Sequence, residues 1–150
     1  MVDTIPRTLR DRVANDARHR CGYCLTDQRV SGAQMHIEHI IPRARGGQSE
    51  ESNLWLACAW CNSFKGIQVA APDTVTGAEA DLFNPRTQRW PDHFAWDDRD
   101  TRIVGLTPTG RATVDALKLN NAYIVPARRL WVQAGWHPPK DIAGQPVPHR

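Results

Sequence analysis

Apolar residues occur along this chain in short, broken runs, and the breaks carry as much information as the runs. Over residues 6–19 (PRTLRDRVANDARH) Leu9, Val13 and Ala17 recur every four positions, a narrow stripe that predicts one amphipathic helix. Thr4 is placed to cap that helix and Pro6 suits its first turn. The arginines at 10, 12 and 18 fall mostly off the stripe, as a solvated basic face does. Residues 25–33 read as a loop. Gln34 to Ile41 has the composition of a strand, closed by Pro42, which has no N–H to give to a ladder. The following RARGGQSEES is turn chemistry, with Gly46 and Gly47 available for positive φ. Asn53 to Leu56 predicts a second short strand, and a helix opening at Cys58 and Cys61 is expected to reach about Val69.

The pattern changes at Pro72. Pro72 to Gly77 reads as a loop, and His93–Asp97 and Arg102–Leu106 as two strands joined through Asp97-Asp-Arg-Asp100. A helix over 110–119, capped by Thr107 or Thr109, and another over 125–135, with Pro126 in its first turn, complete the prediction. The proline- and glycine-rich tail from His137 is expected to be loose. The six tryptophans (55, 60, 90, 96, 131 and 136) are spread through these elements, which favours core packing over base stacking. The organisation predicted is α+β, with a first domain over 1–70 and a C-terminal extension over 71–150 packed on it.

Composition sharpens this in two ways. The chain has 150 residues, 41% of them apolar, enough for one core, yet its first half is thin in large aliphatics. A core that sparse calls for a staple. Formal charge is only +3, too small by itself to argue for nucleic acid, although the preference for arginine over lysine suits phosphate contacts. No apolar run follows the N-terminal residues and no stretch approaches a membrane span. The expected location is therefore the cytoplasm, with no membrane partner.

The staple is visible as two Cys-x-x-Cys pairs, Cys21/Cys24 and Cys58/Cys61. Two disulfides or separate free thiols are the alternatives. Paired spacing in a reducing compartment favours a closed tetrahedral zinc site, which stabilises a fold and leaves no position for substrate. Between the pairs lie Glu38-His39-Ile-Ile-Pro42, Gly46-Gly47 and Asn53-Leu54, and after them Asn62-Ser-Phe-Lys65-Gly66. Imidazole titrates near neutrality, so His39 is suited to take a proton from water. A carboxylate and an amide oxygen are hard ligands of the kind Mg²⁺ or Mn²⁺ takes. Arg43, Arg45 and Lys65 flank these residues in sequence and are candidates to neutralise phosphates, as nucleic-acid-binding residues would.

In this order and spacing the motifs over residues 15–68 resemble the HNH endonuclease family in its four-cysteine form, as in small stand-alone bacterial proteins. The resemblance implies a ββα-metal, treble-clef-like core held by a structural Zn²⁺. It implies hydrolysis of phosphodiester bonds in DNA, most simply double-stranded, by a single-metal mechanism leaving 3′-hydroxyl and 5′-phosphate ends. On the family pattern His39 is the general base, Glu38 and Asn62 hold a catalytic Mg²⁺ or Mn²⁺, and Asn53 ties the loop that fixes His39. Adjacent strand residues point to opposite faces, so a single site using both Glu38 and His39 requires a local twist. His36 shares the face of Glu38 and reads as a structural histidine. The alternative to an enzyme is a zinc-stabilised nucleic-acid-binding module without catalysis, or a protein-interaction domain on the same scaffold.

Overall fold

The computed structural model describes residues 4–141, in which helices and three two-stranded antiparallel sheets alternate. Helix α1 (Arg7–Asp16) starts behind Pro6 with no side-chain cap, so Thr4 does not serve as one. Its four-residue stripe is turned inward: Val13 and Ala17 are buried, and Val13 clusters with Ile5, Leu54 and half-buried Leu9. The arginines off the stripe stay at the surface, Arg12 within 3.4 Å of Glu51.

The stretch expected as a loop after Cys24 contains a one-turn helix, α2 (Gln28–Ser31), because the Asp27 carboxylate caps it by accepting from the Arg29 N–H. Strand β1 (His36–His39) pairs with β2 (Leu54–Ala57), placing His36 opposite Ala57 and His39 opposite Leu54. Helix α3 (Ala59–Lys65) follows at once, with the Cys58 sulfur accepting from the Cys61 N–H at its start. It ends four residues short of Val69 because Gly66 takes a positive φ of 53°.

The second half holds more structure than its pattern announces. Pro72–Gly77 is mostly the connection of an unforeseen hairpin, β3 (Ala70–Pro72) with β4 (Glu79–Asp81). One-turn α4 (Trp90–His93) was likewise not expected. The hairpin of β5 (Phe94–Asp97) and β6 (Arg102–Gly105) and the helices α5 (Pro108–Ala116) and α6 (Ile124–Ala134) lie where the pattern put them, with Thr107 capping α5 through the Gly110 N–H. In the connection after β3, the Asp73 carboxylate accepts from the Thr76 hydroxyl and takes a two-pronged contact from Arg111 at 2.7 and 3.0 Å. That contact explains a cation near the start of α5, where the helix dipole disfavours one. The tail was expected to be loose from His137, but His137 itself is buried edge-on to Trp96 at 4.4 Å. Residues 142–150 of that tail lie outside the described residues.

One cluster of buried side chains draws on both halves. Tyr23, Leu25, Met35 and Leu56 pack with Phe83, Trp90, Phe94, Ile103, Leu117 and Leu119. The Trp90 indole donates to the Tyr23 carbonyl at 2.9 Å, and Arg86 lies over the Trp55 ring while its Nε donates to the Leu54 carbonyl. Core packing describes Trp90, but Trp60 and Trp136 are 46% and 62% exposed. Among the described residues no helix is long and apolar enough to cross a membrane.

Gly22 serves this packing differently from the role its turn suggests. Its φ is not positive; what it lacks is room, since a Cβ there would stand 2.3 Å from Cδ1 of Trp55 and 2.7 Å from Cβ of Pro85. Gly22→Ala should therefore cost about 1–3 kcal/mol of stability by overpacking. Urea unfolding checks this, and an unchanged midpoint would show that the indole yields at no cost.

Candidate functional site

The two cysteine pairs are brought together by different devices. Cys21 and Cys24 sit on the turn before α2, where the Leu25 N–H returns to the Cys21 carbonyl and the Gly22 N–H reaches the Leu56 carbonyl of β2. Cys58 and Cys61 stand at the start of α3. The four sulfurs lie within 4.8 Å of one another, and those of Cys24 and Cys58 are 3.7 Å apart. A tetrahedral zinc thiolate with bonds of about 2.3 Å has sulfur–sulfur edges of about 3.8 Å. The spacing fits such an ion and excludes a disulfide, and all four cysteines are free. The donor set fits too: the Tyr23 and Cys61 N–H groups point at the Cys21 and Cys58 sulfurs, and the Thr26 hydroxyl is 3.1 Å from that of Cys24. Burial pushes the Cys21 thiol well above its ordinary value, a penalty that a cation among the sulfurs relieves. The cluster is a zinc-binding arrangement.

Along β1 the pleat decides where the next residues point. Glu38 faces inward and is 4% exposed. One carboxylate oxygen accepts from the Tyr23 hydroxyl at 2.6 Å, and the other lies 3.0 Å from Nζ of Lys65. Lys65 is itself 2% exposed, and its ammonium also donates to the Ile40 carbonyl at 2.9 Å. Burial raises the Glu38 carboxyl above its usual value, with Lys65 and Tyr23 pulling the other way. The same burial, with the Glu38 charge beside it, lifts the Tyr23 phenol. Two expectations change on this geometry. Lys65 is the internal partner of Glu38 and does not present its charge to a phosphate. Glu38 is enclosed by one hydrogen-bond donor and one ion-pair partner, whereas a carboxylate poised for a divalent ion would be open.

His39, one residue on, faces the other way and is half-buried, with Nε2 2.7 Å from the Ser49 hydroxyl. The loop carrying Ser49 is laced to Ile41, just past β1, by Asn53. Its side-chain oxygen accepts from the Ile41 N–H at 2.8 Å and its amide nitrogen donates to the Ile41 and Gln48 carbonyls, both at 3.0 Å. Gly47 makes the lacing possible by close approach, since a Cβ on it would overlap the Ile41 carbonyl and crowd the Asn53 amide; of the two glycines only Gly46 takes positive φ.

Asn62 is half-buried in the first part of α3. Arg43 and Arg45 are exposed on the short turn after Pro42, with the Arg45 guanidinium donating to the Ile67 carbonyl. His36 is exposed at the outer end of β1. The β1 neighbours Glu38 and His39 are thus not brought onto one face. Sequence reasoning missed Tyr23 and Ser49. Tyr23 sits inside a cysteine turn, where only the cysteines draw notice, and Ser49 is one of several polar residues in a turn-rich run.

Compared with known families, residues 21–68 match the family model described as HNH endonuclease, a segment running from Cys21 to just beyond α3. No curated protein matches the chain. The HNH-matched segment is of a nuclease type, and the cysteine cluster within it is a zinc-binding arrangement.

Two outcomes follow from the buried groups. Lys65→Met leaves the Glu38 charge unpaired and should destabilise the fold by about 3–5 kcal/mol, with Glu38→Gln in the same chain restoring part of the loss; denaturant titration of the two variants decides it. Cys58→Ser should abolish tight zinc uptake and with it the cooperative unfolding transition, as read by metal analysis beside circular dichroism.

Proposed function

We propose that the chain is an endonuclease that hydrolyses phosphodiester bonds in DNA, with His39 as general base. The observation that supports this most directly is the fixing of His39. Its ring is held by Ser49, on a loop that Asn53 laces to Ile41, two residues beyond His39, within the segment that matches the HNH family. In this reading residues 36–66 form the ββα finger and zinc holds its frame. A water placed beside the imidazole gives its proton to the ring and attacks phosphorus in line as the P–O3′ bond breaks, and the departing 3′ oxygen takes a proton from solvent to leave as the 3′-hydroxyl. Arg43 and Arg45, exposed on the turn that follows β1, offset the phosphate charge.

The family's Mg²⁺ or Mn²⁺ would be held here by Glu38 and Asn62. The residues as arranged do not fit that ion. One Glu38 oxygen accepts from Tyr23, and the other, which has no hydrogen-bond partner, sits in an ion pair with a buried lysine that cancels the carboxylate's charge. An ion at this position must first displace both partners, so the proton transfer is assigned to His39 and the charge neutralisation to the arginines.

The same closed carboxylate favours a second reading, a zinc-stabilised DNA-binding module that does not cut. Plasmid nicking separates the two. With Mg²⁺, Mn²⁺ or neither, the protein should nick supercoiled plasmid, and His39→Ala at equal zinc content should be about 10²–10⁴-fold slower. Equal rates in both would remove His39 from the mechanism. Zinc-loaded protein that binds plasmid without nicking it would establish the binding module.

A further inference from the structure

The C-terminal half delivers one side chain to the zinc centre whose burial is otherwise hard to explain. Arg128, on the inward face of α6 beside Val125, is 0% exposed. Its Nη1 donates to the Thr101 carbonyl at 2.9 Å and to the Asn120 side-chain oxygen at 3.2 Å, and its Nη2 donates to the Leu119 carbonyl at 2.7 Å. Its guanidinium lies over the Trp96 ring at 5.4 Å. The Nε–H is sealed from solvent and has no hydrogen-bond partner. Arg128 lines one small cavity together with Cys24, Cys58 and Cys61. Burial works against the guanidinium charge, and the charges that favour it are those of the four cysteines.

A guanidinium keeps its proton under essentially all conditions, and carbonyl dipoles answer only part of the cost of burying it. Zinc with four thiolates carries a net charge of −2, also buried. Each charge makes the other cheaper to hold, and they face each other across the same cavity. We propose that Arg128 is the counter-charge of the zinc tetrathiolate, so that zinc retention by a site built in the first half of the chain depends on α6. Arg128 is a positioning and charge-balancing residue, and its role rests on the zinc reading alone: it stands whether or not the protein cuts DNA.

The test is zinc release from the full chain to a chromogenic chelator in excess, comparing wild type with Arg128→Met, Arg128→Lys and Val125→Ala, each at a denaturant concentration that equalises folding stability. Arg128→Met should release zinc about 10–100-fold faster, the range seen when outer-shell partners of a metal site are lost. Arg128→Lys, which keeps the charge and forfeits the fork, and Val125→Ala, which loosens α6 and keeps the arginine, should stay within a few-fold of wild type. Arg128→Met releasing zinc no faster than Val125→Ala would overturn the proposal, because loss of packing would then account for everything. Should Arg128→Met fail to fold, Arg128→Lys decides: wild-type release upholds the charge, and release about 10-fold faster removes it. A wild-type chain that takes up no zinc overturns the proposal at its premise.

Discussion

Four sulfurs drawn from two distant turns converge to within 4.8 Å, a donor set with the composition and spacing of a tetrahedral zinc site. Most of the first half is arranged by that convergence. The first pair hangs on β2 through the Gly22–Leu56 hydrogen bond, and the second opens α3. Closing the cluster therefore fixes the turn, the β1–β2 ribbon and the helix relative to one another. A two-stranded sheet is marginal by itself. Here metal chemistry and a shared core supply what four-residue strands cannot.

Inside that frame the alternation of a strand sorts two neighbouring residues into different roles. Glu38 goes inward, where Tyr23 and Lys65 answer its charge, and His39 goes to the loop side, where Ser49 and the Asn53 lacing hold its ring in place. A buried ion pair is weak support for stability compared with apolar packing of the same volume, yet it is costly to break. The Glu38–Lys65 pair joins the inner face of β1 to the last turn of α3, and the imidazole emerges on the opposite face.

The cysteine pairs, the two strands between them, the β5–β6 hairpin and the last two helices were legible because each is written in local spacing: two-residue gaps, alternation, a capping threonine. The side that Glu38 takes was not. The pleat requires that one of Glu38 and His39 turn inward, but the choice is made by Tyr23 and Lys65, whose proximity depends on the closed cluster. The β3–β4 hairpin escaped notice because three-residue strands leave no period to detect. Arg128 looks from its neighbours like half of an exposed arginine pair; only its position on the inward face of α6 sets it apart from exposed Arg129.

The contacts that residues 82–90 make with the first half bear on how freely such a domain can be moved between proteins. Trp90 closes over the Tyr23 carbonyl and Arg86 over the Trp55 ring, while Phe83 completes the cluster that includes Leu56. A recombination joint placed just after Gln68 would keep every motif of the matched segment and strip the cover from its aromatic underside. In this chain the unit of inheritance is therefore larger than the unit of recognition, and any graft of the nuclease-like motif has to carry its own replacement for that cover.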